Sequence, residues 1–242
     1  MKGVQFYRDG NIKGAVPMKT GLTKFICAVI IVLSGCGTAS MGVASVTEDS
    51  LMRRDDSIDA HNKLVAAELT RERTRAQLAQ AKVVYDMQLR LGNTNTTSKW
   101  EIYVSLIDLL KAQIEDRVAK HMVTIAGLDE QIGSLRRTWR EGSAPVDVPA
   151  LARLMVEKRE SALLLAEGSL ADFRQLAEAR KAMYEIQDEL ASRRVISEED
   201  RHLAMVLKNQ SSAEATIWGS ELEKAKVHLE EAKRDLEQVG QR

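Results

Sequence analysis

From about residue 47 to the C-terminus, apolar residues recur every three, four or seven positions with hardly a pause. That period belongs to an amphipathic helix, and the two-residue alternation of a strand appears nowhere. The first helical segment spans about residues 47–91, with Leu51, Ile58, Val65, Leu69, Ala76, Val83 and Met87 forming its expected packed stripe. Gly92 and the polar run Asn93-Thr94-Asn95-Thr96-Thr97 close it with turn-forming chemistry.

Ser98-Lys99-Trp100-Glu101 reads as a capping box, in which the serine accepts from the third helical amide and the glutamate reaches back. The helix it opens carries the cleanest heptad in the chain. Trp100, Ile107, Ile114, His121, Leu128 and Leu135 mark one seam position; Val104, Lys111, Val118, Ile125, Ile132 and Trp139 mark the other. Gly127 and Gly133 each cost about 1 kcal/mol in a helix interior, which predicts the close approach of a neighbouring helix at those points.

The run Gly142-Ser143-Ala144-Pro145-Val146-Asp147-Val148-Pro149 interrupts the pattern, and Pro149 suits a first helical turn. A third segment then runs to about residue 194, with Leu163, Leu170, Ala177 and Tyr184 beside Met155, Ala162, Leu176, Met183 and Leu190 on a wide apolar face. Ser197 with Asp200 is a weak capping signal for a fourth segment, whose stripe is Trp218, Leu222, Ala225, Leu229, Ala232, Leu236 and Val239. Four segments of near-equal length joined by short loops predict an all-α fold of long antiparallel helices, as a four-helix bundle or as coiled-coil hairpins. The rival arrangement runs segments three and four together as one helix of about 135 Å.

Before residue 47 the pattern changes. Phe25 to Leu33 is a continuous apolar run, preceded by Lys19 and Lys24 and followed by Ser34 and Gly35. A spanning helix needs about 20 apolar residues, so this run is too short, and its positive, apolar, small layout is that of a secretory signal peptide. Leu33-Ser34-Gly35-Cys36 resembles the lipobox of bacterial lipoproteins. The resemblance covers about the first 36 residues and implies cleavage between Gly35 and Cys36, a diacylglycerol on the Cys36 sulfur, and acylation of the new amine. Several acyl chains, each gaining about 0.8 kcal/mol per buried methylene, anchor a protein stably. Gly37 stands where an aspartate would signal inner-membrane retention in enteric-type bacteria, so the resemblance implies the outer membrane. Residues 1–35 form the signal, with either Met1 or Met18 as the start, and residues 36–46 form a small-residue tether.

Composition adds exclusions. The 242 residues are 44% hydrophobic but only 4% aromatic, with three prolines, as expected of long helices rather than an enzyme core. Formal net charge is zero, giving no basic surface for nucleic acid. Loss of residues 1–35 takes five basic residues and one acid and leaves a net charge of −4. Cys27 departs with the signal and Cys36 is consumed by lipid, leaving no free thiol on that reading.

His61, His121, His202 and His228 are isolated from one another in sequence, and Met122, Met155, Met183 and Met205 are scattered as core filling would have them. Trp100, Trp139 and Trp218 mark either a partner groove or core packing. The acids from Ser197 to Asp200 complement a helix N-terminus, and Arg136, Arg137, Arg140, Arg193 and Arg194 complement helix C-termini. No phosphate loop, nucleophile elbow or zinc signature occurs, so no catalytic, metal or cofactor site is expected. The functional expectation is a lipid-anchored, periplasm-facing envelope scaffold or adaptor. Its expected partners are the membrane, through acyl chains on Cys36, and an envelope protein or further copies of itself. The alternative is a helical binding module for a small apolar ligand.

Overall fold

The computed structural model describes residues 57–142, 145 and 147–240, and the side chains from Ala60 onward. Met18, the apolar run, Gly35, Cys36 and the tether lie outside the described residues. Four helices follow: α1 (Ser57–Asn93), α2 (Lys99–Arg140), α3 (Val148–Ser192) and α4 (Glu198–Gly240). Among the described residues there is no strand.

The starts are set by side chains that satisfy the orphan amides of a first turn. Ser98 and Glu101 make the full capping box, the serine Oγ accepting from the Glu101 amide at 3.2 Å and the Glu101 carboxylate from the Ser98 amide at 2.9 Å. Hydrogen bonds donated to its carboxylate by the Thr97 hydroxyl, the Ser98 amide and the Ser98 hydroxyl hold the Glu101 carboxyl below its ordinary range. Asp147 accepts from the Ala150 amide at 2.8 Å, and Pro149 lies in the first turn of α3. Ser197 Oγ accepts from the Asp200 amide at 3.1 Å and donates to its carboxylate at 2.7 Å. The weak signal at Ser197 therefore marks a real break, and segments three and four are separate helices.

The stops share one device, a single residue in the left-handed region just beyond the helix: Asn95 at φ 54°, Gly142 at φ 67° and Arg194 at φ 56°. At the first exit, Thr96 donates back to the Leu91 carbonyl and Asn95 to that of Gly92; at the third, Val195 donates to Leu190 and Arg194 to Ala191. This paired closure is the Schellman motif, which favours glycine or asparagine at the left-handed position. Arg194 occupies it at a cost of about 1–2 kcal/mol.

Each helix packs antiparallel on its neighbour in sequence, α1 on α2, α2 on α3 and α3 on α4, and these are the substantial contacts of the helical array. The cross-helix bonds show the direction. On the α2–α3 contact, Arg117 meets Asp172 and Asp129 meets Lys158, so one number rises as the other falls. The array is thus an open series of hairpins, with α2 and α3 inside and α1 and α4 at the edges.

An inner helix must bury two faces, and α2 does. The predicted seam buries Ile107, Ile114, Val118, Ile125, Leu128 and Ile132, with His121 half-buried, while Trp139 stays exposed. A second stripe at the same spacing, Ser105, Leu109, Ala112, Ala119 and Ala126, is also buried. It shares its face with Ile102, which reaches Gly92, and with Glu130, which bonds His61, and so it faces α1. The deepest packing joins α3 and α4. Leu165, Phe173 and Leu176 are 0% exposed and Trp218 is 1% exposed. The Phe173 and Trp218 rings stack with centroids 6.0 Å apart and planes 18° from parallel. The predicted α4 stripe points inward as expected, with Trp218, Leu229 and Ala232 buried.

Two expectations fail. The α1 stripe of Val65, Leu69, Ala76, Val83 and Met87 faces away from α2 and is exposed. The face that packs is Ala60, Leu64, Ala67, Thr74, Leu78, Ala81 and Tyr85, a smaller set that fits the small α1-facing stripe of α2. Gly127 accommodates no close neighbour, since a Cβ there would have nothing within 4 Å.

Candidate functional site: uncovered helix faces and a buried polar belt

Two kinds of feature stand out on this frame. The first is a belt of polar side chains inside the α2–α3–α4 contacts. Arg117 of α2 grips Asp172 of α3 with both arms of its guanidinium, Nε donating at 2.6 Å and Nη2 at 3.2 Å. Gly168 makes the route possible: a Cβ at that position would sit 2.7 Å from Arg117 Cδ. Asp172 is buried, so the fork geometry compensates a carboxylate taken from water.

Further along, the buried Arg180 donates Nη1–H to the Leu207 carbonyl at 3.0 Å and to Ser211 Oγ at 2.8 Å. Burial lowers the Arg180 pKa, and the nearby Glu214 carboxylate opposes that shift. Glu214 accepts from Gln210 Nε2 at 2.9 Å through one oxygen; its other oxygen, Ser169 Oγ and the Trp218 indole nitrogen are buried with no hydrogen-bond partner. A belt of this kind fixes which helix faces meet, because any slip in register would strand a charge.

The second feature lies on the edges. On α1, Leu69 and Val83 are 69% and 68% exposed, and Val65 and Met87 share their face. On α4, Leu203, Val206, Ile217 and Val227 are exposed on a stripe turned away from α3. Large apolar residues repeated along one helix face mark an interaction surface more often than isolated ones do. Sequence reading named the α1 residues but assigned them to the interior, and it passed over the α4 stripe. Its residues lie 3, 11 and 10 positions apart with polar residues between them, so the linear pattern carried only a faint signal.

The other singled-out residues do not converge. His61 bonds Glu130 at 2.8 Å on the surface, His202 is exposed, and His228 bonds Glu231 at 3.2 Å on its own helix. His121 lies half-buried against Ser161 at 3.4 Å, and burial, with Lys120 and Arg117 nearby, lowers its pKa. Met122 of α2, Met155 and Met183 of α3 and Met205 of α4 are half-buried and scattered along the three helices. Trp100 is half-buried, Trp139 is exposed at the end of α2, and Trp218 is core. The acids at the start of α4 engage Arg201: Glu198 accepts from it at 3.2 Å, and Asp188 of α3 at 2.7 Å. Those two bonds raise the Arg201 pKa further.

Among the described residues no three His, Cys, Asp or Glu side chains are grouped as metal ligands. None of the described helices is long and apolar enough to cross a membrane. A surface groove of about 440 Å³ lies open between α3 and α4, lined by Leu170, Arg174, Ala215, Thr216, Gly219, Ser220 and Glu223. Comparison with protein-family models, with curated proteins and with solved structures returned no match for this chain.

Proposed function

We propose that this chain is a lipid-anchored envelope protein, held at the outer membrane through Cys36 and facing the periplasm, that works as a scaffold or adaptor. The observation that carries the reading is the pair of uncovered apolar stripes on the edge helices. A protein that acts by presenting surface needs such faces and a firm frame behind them, and the polar belt of Arg117–Asp172 and Arg180–Ser211, in which Asp172 and Arg180 are buried, supports that frame. The lipobox resemblance at Leu33-Ser34-Gly35-Cys36 supplies the anchor. The apolar-ligand alternative has less support, because the α3–α4 interior where a ligand would enter is filled by Leu165, Phe173, Leu176 and Trp218.

The test has two arms, in a Gram-negative host fed a palmitate analogue that can be tagged. The parent chain is expected to label and to fractionate with outer membranes, whereas Cys36→Ser is expected to stay unlabelled at precursor length. Unchanged maturation and membrane retention in Cys36→Ser would end the anchoring half of the proposal. In the second arm, a photo-reactive residue at Leu69 or Val83 should form protein adducts in intact envelopes, and one at the exposed Asp108, off both stripes, should not. Equal adduct yields at all three positions would end the scaffold half.

A further inference from the structure

The geometry points to a second copy of this chain as the occupant of the uncovered faces: the α1 edge of one molecule docks against the α4 edge of the next. The inference rests on reading those stripes as the working surface, and it holds whether or not Cys36 carries lipid.

Three observations select this occupant. First, the two edges differ in charge. Over its whole length α1 carries six Lys and Arg against four Asp and Glu, whereas α4 carries ten Asp and Glu, with Glu214 and Glu221 of these buried, against six Lys and Arg. An α1–α1 or α4–α4 contact would set like charge against like, and an α1–α4 contact pairs opposite signs, which suppresses the wrong partners.

Second, the array alternates in direction. Helix α4 runs opposite to α1, so a neighbouring α1 placed beside α4 continues the antiparallel series without a fault. The contact would be made as α1 already meets α2, along one stripe of a long helix.

Third, the registers agree. His61 stands beside Glu130, Asp129 beside Lys158, and Phe173 beside Trp218. Counting antiparallel across those three contacts places Leu69 within about one helical turn of the level of Val227, Arg73 of Glu223, and Val83 of Ala213, whichever α2–α3 contact sets the middle step. Two apolar pairs and one opposite-charge pair therefore line up when one array is set level beside another. Arg73 and Glu223 are both exposed; the Arg73 charge also acts on Glu115 of α2, and Glu223 accepts from Lys226 at 2.8 Å.

A contact between two different edges is heterologous, so it propagates: each copy offers a free α1 on one side and a free α4 on the other. Assembly then ends in a closed ring or runs on as a filament of helical arrays.

Site-directed disulfide crosslinking in native membranes tests this with the full chain. The double variants Leu69→Cys with Val227→Cys, and Val83→Cys with Ala213→Cys, should oxidise to a ladder of dimers, trimers and larger species on a non-reducing gel. Each single variant should stay monomeric. The mismatched pair Leu69→Cys with Ala213→Cys, displaced by about 21 Å along the helix, should give no ladder. Arg73→Glu or Glu223→Arg alone should weaken the ladder by up to about fivefold, a rim ion pair being worth about 0.2–1 kcal/mol, and the two together should restore it.

Dimers from a single variant would overturn the proposal in favour of like-edge pairing. An intrachain disulfide, or no crosslink from either matched pair, would also overturn it. The parent chain is the control for Cys27 and Cys36. Crosslinks in the parent that vanish in Cys36→Ser would report a free thiol at Cys36, which is failure of the lipid reading, and would leave the ladder outcome to be read in that background.

Discussion

Replacing Gly168 by alanine puts a methyl group where the arm of Arg117 now runs. The new Cβ would stand 2.7 Å from Arg117 Cδ, 2.7 Å from Nη1 and 3.1 Å from Cζ. Because Cδ sits mid-chain, moving the tip of the side chain cannot relieve the contact, and the guanidinium must leave Asp172. Two terms then oppose each other. Alanine gains about 1 kcal/mol of helix propensity over glycine. Against that stand hydrogen bonds to a charged group, worth about 1.5–3 kcal/mol when intact. They are discounted toward the lower end because the Arg117 side chain is 43% exposed. What remains is a carboxylate only 6% exposed with no fork to hold it. The net expectation is a loss of about 1 kcal/mol. In a chain already carrying Arg117→Ala the methyl meets no arginine, so the same Gly168→Ala change should stabilise by about 1 kcal/mol. Urea unfolding followed by far-ultraviolet circular dichroism on the four proteins of this cycle measures the difference. A change of the same sign and size in both backgrounds would refute the coupling of Gly168 to the Arg117–Asp172 pair.

Two further outcomes are expected. Arg194→Gly should raise stability by about 1 kcal/mol, because glycine accepts the left-handed conformation at φ 56° without the Cβ penalty; an unchanged melting temperature would show that Arg194 meets no penalty there. His121, whose pKa burial depresses, should make the fold lose stability as pH falls from about 7 toward 5. Its neutral form is favoured in the folded state, so the unfolded chain takes up the proton first and stability is complete only above the unfolded pKa of about 6.5. His121→Leu should flatten the melting temperature across that window, and a slope equal to that of the parent would assign the effect to other groups.

Much of the frame was legible in the linear pattern because its signals are local. A serine three residues before a glutamate, a glycine followed by a polar run, and a proline in a first turn each act within one helical turn, so Ser98, the turn at residues 92–97 and Pro149 could be placed without knowing any neighbour. The α3-facing seam of α2 and the inward stripe of α4 were legible because their apolar residues keep a regular alternation of three and four positions. The orientation of α1 was not. It carries two stripes, and the bulkier one, Leu69 and Val83 among it, is the one left in water. Hydropathy ranks side chains by what they gain on burial, whereas contact requires a partner surface of matching shape. Helix α2 offers small residues, Ser105, Ala112, Ala119 and Ala126, which admit Ala60, Ala67 and Thr74 closely. Those residues add little to any apolar count. The polar belt was illegible for a related reason: Gly168, Arg117 and Asp172 lie on two helices and mean nothing until the register brings them together. The lipobox reading of Cys36 rests on sequence alone, on the motif with the apolar run and basic flank before it, and Cys36 lies outside the described residues.

The uneven depth of burial along the array has a mechanical consequence. Among its described side chains α1 buries only Ala60 and Thr74, whereas α3 and α4 share the stacked Phe173 and Trp218 and the clamp at Arg180. Elements with few buried contacts open at the lowest free energy. Tension applied at the N-terminal side of α1 is therefore expected to disturb that helix before the α3–α4 pair around Phe173 and Trp218 yields, leaving α1 as a compliant leash in front of a stiffer helix pair.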